Sequence, residues 1–219
     1  MELNDTFVFI GDSITESGRF EDPEGIGNGY VRLINDYLSI NYPALLPQVI
    51  NKGIGGNHIT DLASRWQKDV LDLNPAYVSI SIGINDVWRQ IDHPWKRLVL
   101  PDEFERIYNE LILQAKSQTG ARLVLMEPTI LQENPESEGN RKLQEYADVV
   151  RRLAGKWNAI YVPTHQVFIR YLKSANHKML TTDGVHMNSA GSMLMAQTWL
   201  RAFFNKIQFD RGAKNGLPG

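Results

Sequence analysis

Phe7-Val8-Phe9-Ile10-Gly11-Asp12-Ser13-Ile14-Thr15 is the stretch on which the fold turns. Four apolar residues of β-branched or aromatic type suit a pleated, buried strand, and Gly11 then allows the chain to turn sharply. That leaves the Ser13 hydroxyl at the carboxyl end of a strand. In an open α/β sheet this is the edge along which ligands bind, so Ser13 stands where a nucleophile would be useful. Gly, Asp and Ser are also ordinary turn residues. Whether Ser13 ends a strand or attacks a substrate depends on what the rest of the chain places beside it.

Downstream, strand-like and helix-like stretches alternate. A Gly-studded polar loop spans Gly18 to Gly29, and a helix follows with Tyr30, Val31, Leu33, Ile34, Tyr37 and Leu38 at three- and four-residue steps until Pro43. Gln48 to Asn51 reads as a short strand running into Gly53-Ile54-Gly55-Gly56-Asn57. Thr60 or Asp61 can cap a helix carrying Leu62, Trp66, Val70 and Leu73 on one face. Tyr77 to Ile82 reads as a strand buried on both faces and ends at Gly83-Ile84-Asn85-Asp86, after which Val87 to Leu100 reads as irregular. Pro101 and Asp102 open a helix that Gly120 closes. Arg122 to Glu127 is a strand, Leu143 to Trp157 a helix, Ala159 to Pro163 the last strand, and Val167 to Leu172 a helix. A final helix runs from about Ser189 to Ile207, with a loose tail from about residue 210. Strands joined through helices must be parallel, and right-handed crossovers cover both faces of such a sheet. The expectation is one three-layer α/β/α domain, residues 1–219, around a five-stranded parallel sheet.

Composition narrows the class. The 219 residues can bury a substantial core without staples, and with no cysteine the chain has neither disulfides nor a thiolate nucleophile, which suits a reducing compartment. Met1 to Asp5 is short and acidic and leads straight into the first strand, with no charged and apolar leader, so a cytoplasmic location is expected. A net charge of −2 provides no footprint for nucleic acid, and no apolar run approaches the roughly 20 residues of a membrane span. The expected partner is a small molecule. Leu200, Phe203, Phe204, Ile207 and Phe209 would either dock the last helix on its own sheet or pair the chain with another copy as a homo-oligomer.

Four motifs fall at element ends that this fold gathers along one crevice: Ser13 after the first strand, the Gly-rich turn after the second, Asn85 after the third, and Asp183-Gly184-Val185-His186 before the last helix. A serine hydroxyl is a weak nucleophile at neutral pH unless a neighbour accepts its proton. Of five histidines His186 is the best supplied, because Asp183 three residues before it can reach the imidazole and fix its tautomer. His58, beside the Gly-rich turn, is second; His93, His165 and His177 read as polar-surface or capping residues. Acyl transfer also needs donors where an oxyanion forms, and Gly55, Gly56, the Asn85 amide and the Ser13 N–H all qualify. Asp12 and Asp86 read as holding their turns through side-chain to backbone bonds.

Gly11-Asp12-Ser13, Gly56 within Asn51 to Asn57, Gly83-Ile84-Asn85-Asp86 and Asp183-Gly184-Val185-His186 resemble, in order and spacing, the four blocks of the SGNH, or GDSL-type, hydrolases. The resemblance spans essentially the whole chain. It implies a five-stranded parallel sheet of flavodoxin-like order and a shallow, flexible active site with no metal, and the esterase reaction it implies requires no cofactor. Ser13 would be the nucleophile, Asp183 and His186 the rest of a triad, and Ser13, Gly56 and Asn85 the oxyanion donors. Gly83 to Gln90 and Asn51 to Asn57 further resemble the intracellular carbohydrate acetylesterases that include some acetylxylan esterases. The implied activity is hydrolysis of short acyl, above all acetyl, esters on sugars or xylo-oligosaccharides.

Trp88 and Trp95 flank a polar run beside the crevice, so either could lie against a sugar ring while Arg89 hydrogen-bonds its hydroxyls. The other reading makes each an anchor of its loop. Three competing functions stand beside the esterase. A lysophospholipase or thioesterase would want a longer apolar groove than these charged loops provide. A phosphoesterase could use Asp12, Asp86, Asp183 and His186 as metal ligands, although no tight ligand spacing appears. A non-catalytic sugar-binding protein could carry the same residues as relics.

Overall fold

A computed structural model describes residues 1–95, 97–176 and 178–215, with 209–215 described by backbone alone. Five strands, β1 (Thr6–Gly11), β2 (Gln48–Gly53), β3 (Tyr77–Ser81), β4 (Arg122–Met126) and β5 (Ile160–Val162), pair throughout in parallel in the order β2-β1-β3-β4-β5. The helices are α1 (Ser13–Glu16), α2 (Tyr30–Asn41), α3 (Ile59–Trp66), α4 (Ile84–Asp92), α5 (Pro101–Gln118), α6 (Glu138–Lys156), α7 (Thr164–Leu172) and α8 (Ser189–Asn215). From β1 the chain steps outward to β2 and then crosses back past β1 to β3. That reversal opens a crevice at the carboxyl ends of β1 and β3. With right-handed crossovers it also sends α2 to one face, where α8 joins it, and α3, α5 and α6 to the other.

β1 and β3 are central strands covered on both sides, which is why Phe7 to Ile10 and Tyr77 to Ile80 read as unbroken apolar or small-residue runs. On the α8 face an aromatic stack fills the layer. Phe7 lies flat on Tyr77 at 4.5 Å, Trp199 is stacked on Phe203 at 4.7 Å, and the Trp199 indole N–H donates to the Ser79 hydroxyl at 3.0 Å. The last helix therefore docks on its own sheet through Trp199, Phe203 and Ile207. Leu200 and Phe204, half-buried, line a shallow groove of about 500 Å³ against Leu33 and Tyr37 of α2. Phe209 lies outside the described side chains.

Several elements differ from the sequence reading, α6 among them, which begins at Glu138 rather than Leu143. Val87 to Asp92 is helical: Gly83 begins α4 at φ 121°, and Ile84, Val87 and Trp88 turn one face inward at helical spacing. The turn-forming Asn-Asp pair and the polar residues after it hide that periodicity. The cap of α3 is His58, one turn's edge earlier than Thr60 or Asp61, with Asp61 reaching back to accept the His58 N–H at 2.8 Å. The final helix continues to Asn215, through the start of the expected loose tail. Among the described residues no helix is long and apolar enough to cross a membrane.

Trp199→Ala should cost about 3–5 kcal/mol of stability, since it removes a buried indole together with its hydrogen bond to Ser79. Urea unfolding checks this, and a loss under about 1 kcal/mol would mean the α8 layer is loosely packed.

Candidate active site

At the end of β1 the chain makes one helical turn. Asp12 caps it, its Oδ1 accepting the Ile14 N–H at 3.0 Å, so that Ser13 becomes the first helical residue with its own N–H left without an acceptor among the described residues. This turn sits directly on the end of β2, where a Cβ on Gly53 would lie 2.1 Å from the Glu16 nitrogen; only glycine fits. Asn51 of β2 fastens the seat by donating to the Thr15 and Ile26 carbonyls at 2.6 and 2.7 Å while accepting the Gly53 N–H at 2.8 Å.

Across the crevice, Asp183 and His186 share a tight turn. Gly184 adopts φ 92°, a conformation in which a side chain is strained, and this folds the chain back far enough for a three-residue spacing to bring carboxylate to imidazole. Asp183 Oδ1 accepts the backbone N–H groups of Val185 and His186 at 3.0 and 2.8 Å, and Oδ2 lies 2.6 Å from His186 Nδ1. A carboxylate oxygen can only accept, so Nδ1 carries the hydrogen and Nε2 is the free lone pair. Nε2 stands 2.9 Å from Ser13 Oγ. Serine, imidazole and carboxylate thus form one line from residues 173 apart in sequence. Burial works to raise the Asp183 carboxyl, but the hydrogen bonds from the His186 ring and from the two backbone N–H groups outweigh it and hold the group at about 2.

The third side of the crevice is the loop after β2. Gly55 and Gly56 were indistinguishable as donors by residue type. Glu16 separates them: its Oε2 takes the Gly55 N–H at 2.6 Å, while the Gly56 N–H has no acceptor among the described residues. Asn85, the second residue of α4, donates to the Asn57 carbonyl at 3.0 Å, which fixes its amide against this loop and leaves one further N–H on the amide nitrogen. Asp86 ties the end of the same loop, accepting the Ile59 N–H at 3.3 Å in addition to interacting with its own backbone N–H as read from sequence.

One residue that the sequence reading passed over organises this side. The Arg65 guanidinium, nearly buried, donates to the Asn57 side chain at 2.9 Å, the Lys52 carbonyl at 2.7 Å and the Gly11 carbonyl at 3.0 Å, and pairs with Asp69 at 2.7 Å. The only signal for it was an arginine on the flank of an otherwise apolar helix face, four residues before an aspartate.

The expected sugar-binding residues are not alike. Trp88 packs against the core as an anchor of α4, Arg89 turns to Asp92 at 3.0 Å, and Trp95 is 75% exposed with its edge toward His93. His58 pairs with Asp61 at 3.1 Å. His165 is a buried residue rather than a surface one, its Nδ1–H donating to the Thr129 carbonyl at 2.6 Å, and burial lowers its basicity. His177 lies outside the described residues. Asp12, Asp86 and Asp183 engage three different backbone segments, and among the described residues no three His, Asp or Glu side chains converge as metal ligands would.

A serine hydroxyl in line with imidazole and carboxylate, at the switch point of a parallel sheet, is the arrangement that serine hydrolases use. The chain belongs to the GDSL-like lipase/acylhydrolase family, whose profile matches residues 9–194. It is a carboxylic ester hydrolase. It is 39% identical over 211 residues to an acetylxylan esterase of Geobacillus stearothermophilus, covering 93% of this chain and 94% of that one. The structure of Axe2, an acetylxylan esterase from the same organism, superposes with a TM-score of 0.84 at 37% identity, covering 92% and 96% of the two chains. LAE5, an alpha/beta hydrolase enzyme from the metagenome of Lake Arreo, Spain, superposes at 0.85 with 35% identity and the same coverage.

Two buried carboxyls flank the site. Burial pushes Asp12 up to about 7 against the pull of the Ile14 N–H, and pushes Asp86 up to about 8, the Ile59 N–H opposing and the Asp12 carboxyl assisting. A folded-state value above the unfolded one means that stability is fully present below the ordinary carboxyl range, near 4, and is lost as pH rises toward 8. Asp86→Asn, whose oxygen still accepts the Ile59 N–H, should therefore gain on the wild type between pH 5 and 9. Urea midpoints of the two proteins that stay a constant distance apart would show that Asp86 ionises normally.

Proposed function

We propose that this chain is a serine esterase that removes acetyl groups from sugars or short xylo-oligosaccharides through an acyl-enzyme. The observation that carries the reading is the line from Ser13 Oγ through His186 to Asp183, at 2.9 and 2.6 Å. In this reading Ser13 Oγ attacks the ester carbonyl carbon as its proton passes to His186 Nε2. Asp183 stabilises the imidazolium so formed. The N–H groups of Ser13 and Gly56 and the free amide N–H of Asn85 take the developing oxyanion. When the tetrahedral intermediate collapses, His186 returns the proton to the departing sugar oxygen; a water then attacks the acyl carbon and loses a proton to the same imidazole, the bond to Ser13 Oγ breaks as that proton passes back to Oγ, and acetate leaves.

Support for the triad comes from Axe2, whose catalytic mutants replace a serine, an aspartate and a histidine, the last two three positions apart as Asp183 and His186 are. Support for the acetyl group comes from the acetylxylan esterase relative and from the polar side chains, Glu16, Asn85 and Asp183, that the structure brings around Ser13 and its neighbouring loop. Trp95, exposed on the loop after α4, is the residue we assign to sugar contact; Trp88 and Arg89 support that loop.

Fluorophosphonate labelling with peptide mapping should give a single adduct on Ser13 that is lost in Ser13→Ala, and an unlabelled wild type would sink the nucleophile assignment. Acetyl esters of p-nitrophenol should be cleaved faster than octanoyl or longer ones; the reverse order would point to a lysophospholipase or thioesterase. Asn85→Ala should lower kcat by roughly 10² to 10³ with little change in KM, whereas a rise in KM alone would move Asn85 from the oxyanion to substrate binding.

A further inference from the structure

The proposed triad places two of its three members on an exposed four-residue turn between α7 and α8, outside regular structure apart from one antiparallel bridge, Thr181 to Met187. Such a turn would not by itself hold Nε2 at hydrogen-bonding distance from a serine on another loop. On its α8 side it is anchored by Asn188, whose N–H and side chain bond the Leu180 and Met179 carbonyls while its Oδ1 caps Ala190 and Gly191. The anchor on its other side lies in a segment that the reaction does not use, the loop after β4.

One carboxylate oxygen there, Glu133 Oε1, accepts three hydrogen bonds: from the Leu180 N–H at 2.8 Å, the Thr181 N–H at 2.6 Å and the Thr181 hydroxyl. The Thr181 hydroxyl in turn accepts the Gly184 N–H at 3.2 Å, so the contact is relayed into the middle of the Asp183–His186 turn. Next to it, the Gln132 N–H donates to the Gly184 carbonyl at 2.7 Å. Leu180 and Thr181 are both buried, so their N–H groups have no water to fall back on if the carboxylate is removed.

The loop that carries Glu133 is itself clamped. Asn140, buried in the first turn of α6, accepts the Leu131 N–H at 2.9 Å and donates to the Gln132 and Asn134 carbonyls at 3.1 and 2.7 Å. Ser137 caps α6 and donates to the Leu131 carbonyl at 3.0 Å. Backbone on both sides of Glu133 is thus tied to the start of α6, and its side chain is delivered to the Leu180–Thr181 backbone.

We propose that Glu133 is a positioning residue for ester hydrolysis, transmitting the rigidity of α6 through Thr181 and Gly184 to the turn that presents His186 to Ser13. The inference rests on the triad reading above. Glu133 touches neither substrate nor reacting atoms. Removing its carboxylate frees the turn to drift, and a displacement of about 1 Å in a reacting group can cost on the order of 10² in rate.

The test is hydrolysis of p-nitrophenyl acetate by Glu133→Ala and Glu133→Gln, with the rate of fluorophosphonate labelling of Ser13 and thermal unfolding measured alongside. Glu133→Ala should lose about 10- to 100-fold in kcat, with KM close to wild type and labelling slowed in parallel. Glu133→Gln, which keeps an oxygen acceptor without the charge, should recover part of the loss. A purely structural role would lower the melting temperature and leave kcat of the folded enzyme alone, and that result in both variants overturns the proposal; so does a rise in KM at unchanged kcat. If Glu133→Ala does not fold, Glu133→Gln and Thr181→Val, which cuts the relay to Gly184, decide by the same readouts. Ser13→Ala separates the two readings: activity surviving there sinks the triad itself, whereas activity lost there and intact in the Glu133 variants sinks only the positioning role.

Discussion

A 2.9 Å hydrogen bond between Ser13 and His186 closes a loop of 173 residues, and neither partner sits in a long element. Ser13 rides on a single helical turn and His186 on a tight turn. The sheet alone cannot set such a distance; it supplies only an edge at which both turns emerge. What sets it is a group of side chains that carry the order of the sheet and helices into the two turns. Asn51 and Gly53 seat the serine turn on β2, while Glu133 and Asn188 grip the histidine turn from α6 and α8. Asn51 and Glu133 use hydrogen bonds to buried backbone groups that would otherwise lack partners, so the same contacts that position the site also hold the loops folded.

Arg65 shows why this linkage needs particular chemistry. Its donors are shared among the ends of β1 and β2 and the loop that follows β2, and Asp69 balances its charge at 2.7 Å. A nearly buried cation is costly unless paired and fully hydrogen-bonded, and only the planar fork of a guanidinium has enough donors, directed widely enough, to meet three separate acceptors and a carboxylate. Lysine, as a point charge, could satisfy part of that set. The Gly11 carbonyl it binds belongs to the residue before Asp12, and Asn57 belongs to the loop that also receives Asn85. The serine turn and the loop after β2 are thereby referred to one rigid group.

What the sequence disclosed and what it hid divide along the same line. Strands, the parallel order and the four motif blocks are local: Phe7 to Ser13 and Asp183 to His186 carry their geometry in adjacent residues, through apolar runs, a capping aspartate and a glycine at positive φ. The residues that align the motifs act at a distance. Nothing near Glu133 shows that its carboxylate will meet Leu180, and nothing near Glu16 shows that it will occupy Gly55 and leave Gly56 open. Helix α4 was hidden for a different reason. Its first turn is built from Asn85 and Asp86, residues that ordinarily end structure, and here their side chains reach across to bond Asn57 and Ile59. Trp88 and Trp95, equal in sequence, separate because only the first lies on the inward face of that helix.

The three acids of the site are sorted by environment. Asp183, half-exposed, accepts hydrogen bonds from two backbone N–H groups and the imidazole and stays ionised down to about 2; Asp12 and Asp86, buried, are pushed up to about 7 and about 8. Asp12 precedes Ser13 and Asp86 follows Asn85, so each adjoins a donor that the proposed reaction aims at an oxyanion. A fixed negative charge at either position would oppose the charge that develops there. Burial makes that charge expensive while leaving a neutral carboxyl still able to accept the Ile14 or Ile59 N–H through its carbonyl oxygen. Asp12 also lies in the field of His186, which draws its value down when the ring is protonated. By reciprocity, an ionised Asp12 would favour the imidazolium, so its charge helps one end of the transition state and hinders the other. Asp183 has no such conflict: it is placed on the far side of the imidazole from Ser13, where a permanent charge can only assist proton transfer.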